Sequence, residues 1–241
     1  MIKKQDFYFI ILLLLIISLF LPFKFLDNFH NGFLYNHNYW YLAGFLKFAV
    51  LATIGESLGL RISKGKYNYK GFGLLPRAIV WGFLGIGIKI AFVIFASGTP
   101  ILLSKLFGVT DATKSMEFSS IFDAIDNGYG GVRVLTAFAI STTMNIIFAP
   151  VFMTFHKITD IHILDNNGNI LKFFTPIKFG KIFPKINWFV QWDFVFKKTI
   201  PFFWIPAHTI TFLMPSEYRI VIAAVLGIVL GVILAIAANK K

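Results

Sequence analysis

Residues 40–77 read WYLAGFLKFAVLATIGESLGL followed by RISKGKYNYKGFGLLPR, and these two halves decide the class of the chain. Trp40–Leu60 is apolar apart from Lys47 and Glu56, and it has close to the roughly 20 residues a helix needs to cross a bilayer. The second half carries Arg61, Lys64, Lys66, Lys70 and Arg77 with no acid. An apolar run followed at once by a basic connection is the pattern of a membrane span that ends on the cytoplasmic side.

Working outward, five further apolar segments stand at Phe7–Phe23, Ala78–Ala96, Leu135–Phe155, Ile200–Met214 and Tyr218–Ala238. The charge of the connections alternates. Lys3 and Lys4 precede the first segment, and Lys24 and Asp27 cancel after it. Ser97–Arg133 sets Lys105, Lys114 and Arg133 against Asp111, Glu117, Asp123 and Asp126. His156–Thr199 is lysine-rich, from Lys157 to Lys198, and the last connection holds Glu217 and Arg219 before the terminal Lys240 and Lys241. This alternation predicts an all-α, polytopic membrane helix bundle of six transmembrane helices with the N and C termini cytoplasmic. With no linker to divide it, residues 1–241 read as a single integral membrane domain of a bacterial-type cell (cytoplasmic) membrane.

Composition agrees with that class. The chain is 57% hydrophobic with 30 Phe, and its mean hydropathy is +0.73, too apolar for a soluble domain of 241 residues. The net charge of +12 lies mostly in two span-flanking connections, where orientation and anionic lipid account for it. Nucleic acid is not an expected partner, since no basic aromatic platform is present. The absence of cysteine excludes disulfides, thiolate ligands and a cysteine nucleophile. Lys3 and Lys4 before Phe7–Leu21 resemble the front of a signal peptide. The following Ser18-Leu19-Phe20-Leu21-Pro22 lacks small residues at a cleavage spacing, so an uncleaved anchor helix is expected.

Three connecting or irregular regions carry their own expectations. Asp123–Gly131, with three glycines, reads as a turn-rich loop. Ile161–Leu164 and Ile170–Phe174 flank Asp165-Asn166-Asn167-Gly168-Asn169, a pattern that fits a β-hairpin. That run lacks the later bidentate glutamate of a calcium loop and reads as a plain turn. Pro201, Pro206 and Pro215 make the fifth segment irregular, so it should be kinked and packed against protein or water rather than lipid.

Ionisable and amide side chains inside the spans mark the candidate solute pathway: Glu56, Lys89, Asn145, His208 and Thr211. Glu56 sits among Ala49, Ala52, Thr53, Gly55 and Gly59, while Lys89 continues a stripe formed by Ala78, Gly82 and Gly85. Lys89 and Asn145 each lie twelve residues from a basic span end, and His208 lies ten after Lys198. At about 1.5 Å per residue all three come out near the midplane. Such groups either pin the helices together by hydrogen bonds or line a weakly cationic, water-filled cavity. In the sixth segment Ala223, Gly227, Gly231 and Ala235 form a small-residue ridge. It reads as a packing seam within the bundle, and a homo-oligomer stays open as a partner state.

Chemistry beyond binding finds little support. Phe152-Met-Thr-Phe-His156 and His156-Lys-Ile-Thr-Asp160 echo short motifs of the CaaX-processing glutamic proteases, but Glu56 has no adjacent glutamate. Asp160 and His162, two apart, cannot share a helical face with His156 as metal ligands, and a solvated helix end is the expected form. No phosphate loop, serine elbow or zinc motif is present, so no catalytic residue, metal or cofactor is expected.

Several patches resemble the Mpv-type family of small peroxisomal and mitochondrial inner-membrane proteins. They are Gly55-Glu56, Pro76-Arg77-Ala-Ile-Val-Trp-Gly82, Met144-Asn145-Ile-Ile-Phe-Ala-Pro150, and the closing Trp204-Ile-Pro206-Ala-His208-Thr-Ile-Thr211-Phe212-Leu-Met-Pro215-Ser-Glu-Tyr-Arg219. In the last, His208 stands for the family's Gln and Thr211 for its Asn. The resemblance covers roughly residues 45–238 in patches, and the first segment falls outside the four spans usual in that family. It implies a prokaryotic-type helical membrane protein of a family for which channel or metabolite-transport roles have been proposed and no enzyme activity is established. The expectation is therefore a channel or transporter for small polar or anionic solutes. A non-transporting scaffold is the alternative, and an intramembrane enzyme the third reading.

Overall fold

The computed structural model describes residues 3–20, 23–216 and 218–239, with side chains for all of these except His37 and 234–239. The expectations that rest on Leu21, Pro22, Glu217, Lys240, Lys241 and the side chain of Ala235 lie outside that set. Among the described residues every regular element is helical. We label the main ones α1 (Lys4–Ser18), α2 (Trp40–Lys64), α3 (Leu74–Phe107), α4 (Gly130–Ile147), α5 (Ala149–Asp165), α6 (Gln191–Trp204), α7 (Ile205–Leu213) and α8 (Arg219–Asn239).

Three of them, α2, α3 and α4, are long and apolar enough to cross a membrane. The remaining expected segments take other forms. Phe7–Phe23 supplies a 15-residue α1 that ends at Ser18. Ala78–Ala96 is the middle of the 34-residue α3, about 51 Å at 1.5 Å per residue. Leu135–Phe155 is divided at Phe148 between α4 and α5, because Pro150 has no N–H to continue the ladder and suits the first turn of a new helix. Ile200–Met214 falls across α6 and α7. In α6 the chain is wound as a π-helix with Pro201 inside it, and Pro206 sits in the first turn of α7. Met214, before Pro215, is extended (φ −79°, ψ 159°), as a residue preceding proline prefers, and this ends α7.

The fit between helices explains the glycine placement. α2 lies between α3 and α8, α4 packs on α3, and α7 packs on α4. Leu51, Phe92, Ile140, Phe212 and Ala224 from these five helices share one buried core. A β-carbon at Gly85 would stand 2.5 Å from the Phe48 β-carbon, so α2 and α3 meet at a distance only glycine allows. On the other side of α2, a β-carbon at Gly55 would lie 3.1 Å from the Ile228 α-carbon, and one at Gly231 3.7 Å from the Gly55 carbonyl oxygen. The small-residue ridge of α8 thus packs inside the bundle. Phe83, Val93, Phe138, Ile147 and Val151 stand exposed on the outward faces of the bundle.

α1 is pinned antiparallel to α2 at both ends. Arg61 donates from Nε and Nη2 to the two Asp6 carboxylate oxygens at 2.6 and 2.7 Å, and the Tyr67 hydroxyl donates to Asp6 at 2.8 Å. The Arg61 guanidinium holds the Asp6 carboxyl well below the usual carboxylate range. At the far end the Tyr35 hydroxyl donates to the Phe20 carbonyl (2.9 Å), and His30 Nε2 lies 2.8 Å from the Leu19 carbonyl oxygen.

Two connections correct or refine the sequence reading. No hairpin forms at 161–174: α5 runs to Asp165, and Ile170–Phe173 is another helical turn. Asn167, left-handed at φ 52°, places its N–H on the Leu164 carbonyl and that of Gly168 on Ile163, which closes the helix end and leaves no strand to pair. The loop from 108 to 129 does turn at Asn127–Tyr129, with Gly128 at φ +82°, but it contains short helices at Ala112–Ser115 and Ile121–Asp126. Arg133, fully buried, holds that loop down by donating from Nη1 to the Ser115 and Phe118 carbonyls at 2.9 and 2.8 Å.

Candidate functional site

Glu56 of α2, Arg77 and Trp81 of α3, and His156 and Asp160 of α5 converge near one end of the bundle. Arg77 and Trp81 are four apart, as are His156 and Asp160, so each pair occupies one helical face. Arg77 is the hub. Its Nη1 donates to Glu56 Oε2, its Nη2 to Asp160 Oδ1, and its Nε to the Phe72 carbonyl at 2.9 Å. The Phe72 ring covers the guanidinium at 4.3 Å. Glu56 Oε1 accepts the Trp81 indole N–H at 2.8 Å and lies 3.1 Å from His156 Nε2, while the His156 ring stands 4.4 Å from that of Trp81. Lys157 closes the set on Asp160 Oδ2 at 3.2 Å. Two carboxylates thus meet two cations in a largely buried network, the arrangement that burial of charge demands.

A second polar pair lies deeper. The Asn145 amide nitrogen is 3.0 Å from His208 Nδ1 and donates to the Ser141 carbonyl at 2.8 Å. The His208 ring stacks on Trp204 at 5.1 Å and meets Phe92 edge-on at 5.6 Å. Beside the Pro206 kink, the Ile205 carbonyl accepts both the Ser141 and the Thr209 hydroxyl at 2.7 Å, so this backbone acceptor stays paired without water.

Between the two poles lies a cavity of about 360 Å³. Glu56, His156 and Lys157 line one part and Asn145, His208 and Trp204 another, with Phe152, Met144, Gly55, Gly59, Ala223 and Gly227 among the apolar walls. Gln191 and Trp204 also line it, and their buried Nε2 and Nε1 donors have no hydrogen-bond partner among the described residues. Buried donors are nearly always satisfied, so these two stand out in the wall, although neither nitrogen has surface open to the cavity.

Of the five residues expected along a solute pathway, Glu56, Asn145 and His208 line this cavity. Thr211 is fully buried and donates to the Ala207 carbonyl at 2.9 Å. Lys89 lines a separate pocket with Lys47, so it is not the cation of the midplane group and does not neutralise Glu56. The residues that resemble family motifs scatter by role. Gly55 sits in the α2–α8 seam, Arg77 is the network hub, Pro150 opens α5, and Pro215 follows α7. Trp204 and Pro206 flank the kink, and Arg219 donates to the Met214 and Phe212 carbonyls at the end of α7 at 3.1 and 3.2 Å. The solvated-end reading fails at Asp160, which Arg77 draws into the network. His162 faces the Phe173 carbonyl at 2.9 Å, and among the described residues no three His, Asp or Glu side chains converge as metal ligands. Trp81 was passed over because an indole in an apolar stretch carries no charge signal, and Gln191 because it lies in the lysine-rich connection outside the expected spans.

No protein family, curated protein or solved structure matches this sequence.

Proposed function

We propose that this protein is a channel or transporter of the cell membrane, which takes small polar organic solutes through the cavity between α2, α5, α6 and α8. The observation that carries this reading is a cavity of about 360 Å³ whose mostly apolar wall carries a few polar side chains, Glu56, His156, Lys157, Asn145 and His208. Such a wall receives a molecule with an apolar body and a few polar groups, the usual chemistry of a small-molecule site. With Lys89 in a different pocket, a purely anionic selectivity loses its midplane cation. The cavity also speaks against a scaffold with a dry, filled interior.

In this proposal all six apolar segments are embedded and both termini face the cytoplasm. The pinning of α1 along α2 and the apolar outward faces support that arrangement, and the basic connections set its direction, with anionic lipid beside them. An intramembrane enzyme is the second reading, favoured by one observation, the 3.1 Å approach of Glu56 and His156 on the cavity wall. Against it, Arg77 and Trp81 already occupy both Glu56 oxygens.

Purified protein in liposomes, assayed against a panel of ions and small metabolites, tests the proposal. Flux of at least one solute above empty liposomes is expected. His156→Phe, which keeps a ring and removes its nitrogens, should weaken that solute's apparent affinity by about tenfold, the worth of one hydrogen bond. If no solute on the panel crosses faster than in empty liposomes, the transport reading is wrong.

A further inference from the structure

A second pocket, of about 190 Å³, lies on the bundle away from the Glu56–Arg77 network and is lined by Asn36, Trp40, Lys47, Lys89 and Ser216 together with apolar neighbours. Lys47 comes from α2 and Lys89 from α3. These helices run antiparallel and cross closely at Gly44, whose β-carbon would lie 3.9 Å from the Gly85 carbonyl oxygen. Side chains lean toward the N-terminus of their own helix, so on antiparallel neighbours the two lysines lean toward each other. Lys47 is only 3% exposed. Its Nζ donates to the Leu34 carbonyl at 3.0 Å and stands 4.7 Å over the Tyr35 ring. Among the described residues no carboxylate forms an ion pair with either lysine.

Two ammonium groups in one small, partly buried pocket repel and are poorly solvated. Among the described residues, one hydrogen bond to a carbonyl and one aromatic face offer Lys47 no negative charge. An anion between them would, through charge-assisted hydrogen bonds from both. Trp40, with Tyr39 and Tyr41 exposed beside it, begins α2, the position of an interfacial aromatic belt. In the proposed embedding the Trp40 side of the pocket therefore faces the lipid headgroups. We propose that Lys47 and Lys89 form a binding site for a phosphate group, carried by an anionic lipid headgroup or by free phosphate, independent of whatever occupies the larger cavity.

The test uses full-length protein in phosphatidylcholine nanodiscs with tryptophan emission as reporter, and Trp40→Phe assigns the signal to this pocket. One arm titrates inorganic phosphate. The other compares quenching by brominated phosphatidylglycerol with quenching by brominated phosphatidylcholine. A saturable response to phosphate supports a free-anion site, and preferential quenching by phosphatidylglycerol supports a headgroup site. In either case Lys89→Met should weaken binding by about tenfold, the loss of one charge-assisted bond, and Lys89→Arg should restore most of it. Should Lys89→Met fail to fold, wild-type affinity must still fall steeply with added salt and stay level in sucrose. Absence of both responses in the wild type, or equal affinity in wild type and a folded Lys89→Met, overturns the proposal.

Discussion

Arg77 donates to two carboxylates from two other helices, and its removal leaves both buried without their counter-charge. Arg77→Met should therefore destabilise the bundle by about 3–5 kcal/mol, the usual loss when one partner of a buried ion pair is deleted. Thermal unfolding in detergent, followed by tryptophan emission, measures it. Adding Glu56→Gln and Asp160→Asn to that variant removes the orphaned charges and should recover most of the loss. If the triple variant is no more stable than the single one, the network contributes through packing rather than charge. Part of this site could be read in the sequence. Glu56 stood out because a carboxylate in an apolar helix needs a partner, and Asn145 and His208 were correctly placed at one depth by counting residues from basic ends. Its partner Arg77 was counted as a loop charge and as part of a family-like motif but not as a partner of Glu56, since its place inside α3 became visible only once that helix extended beyond its most apolar stretch.

At the scale of the helix, close approach rather than amphipathicity sets the architecture. Gly85→Ala would drive a β-carbon to 2.5 Å from that of Phe48, an atom fixed to the backbone and unable to swing aside. Overpacking of this kind costs about 1–3 kcal/mol. The same substitution at Gly87, where a β-carbon meets nothing within 4 Å, should be close to neutral. Chemical unfolding of the two variants side by side checks the contrast; helix propensity alone would stabilise both by up to about 1 kcal/mol, so equal gains would show that the Phe48 contact does not matter. Glycine and alanine at helical spacing made the α2–α8 seam legible in advance. Helix limits were less so. Hydropathy records where lipid is tolerated, whereas hydrogen bonding decides where a helix stops, so α3 runs past its apolar stretch and α4 yields to α5 at Pro150. The misread hairpin has the same origin: Asn-Gly serves a helix end as readily as a strand turn.

For the whole molecule, the charge pattern of the connections makes a statement about sidedness that chemistry can check. The native chain has no cysteine, so Asn68→Cys and Ile125→Cys, both at exposed positions, are clean reporters. In intact cells an impermeant maleimide should label position 125 and spare position 68. Labelling of 68 instead would invert the proposed orientation. Membrane class and helical architecture could be read from composition alone, because no other solvent accommodates so apolar a chain. The number of crossings could not, since a broken or short segment can be embedded without spanning. One dimension of the bundle has a mechanical consequence. At about 51 Å, α3 is longer than the roughly 30 Å hydrocarbon slab, and Leu102, Leu106 and Phe107 stay exposed toward its far end. In the proposed embedding that rod leans, draws lipid up around itself or projects beyond the bilayer, and where it leans the neighbours that pack on it lean with it. Bilayer thickness thereby becomes a lever on the bundle, and longer-chained lipids would hold the helices more upright than shorter-chained ones.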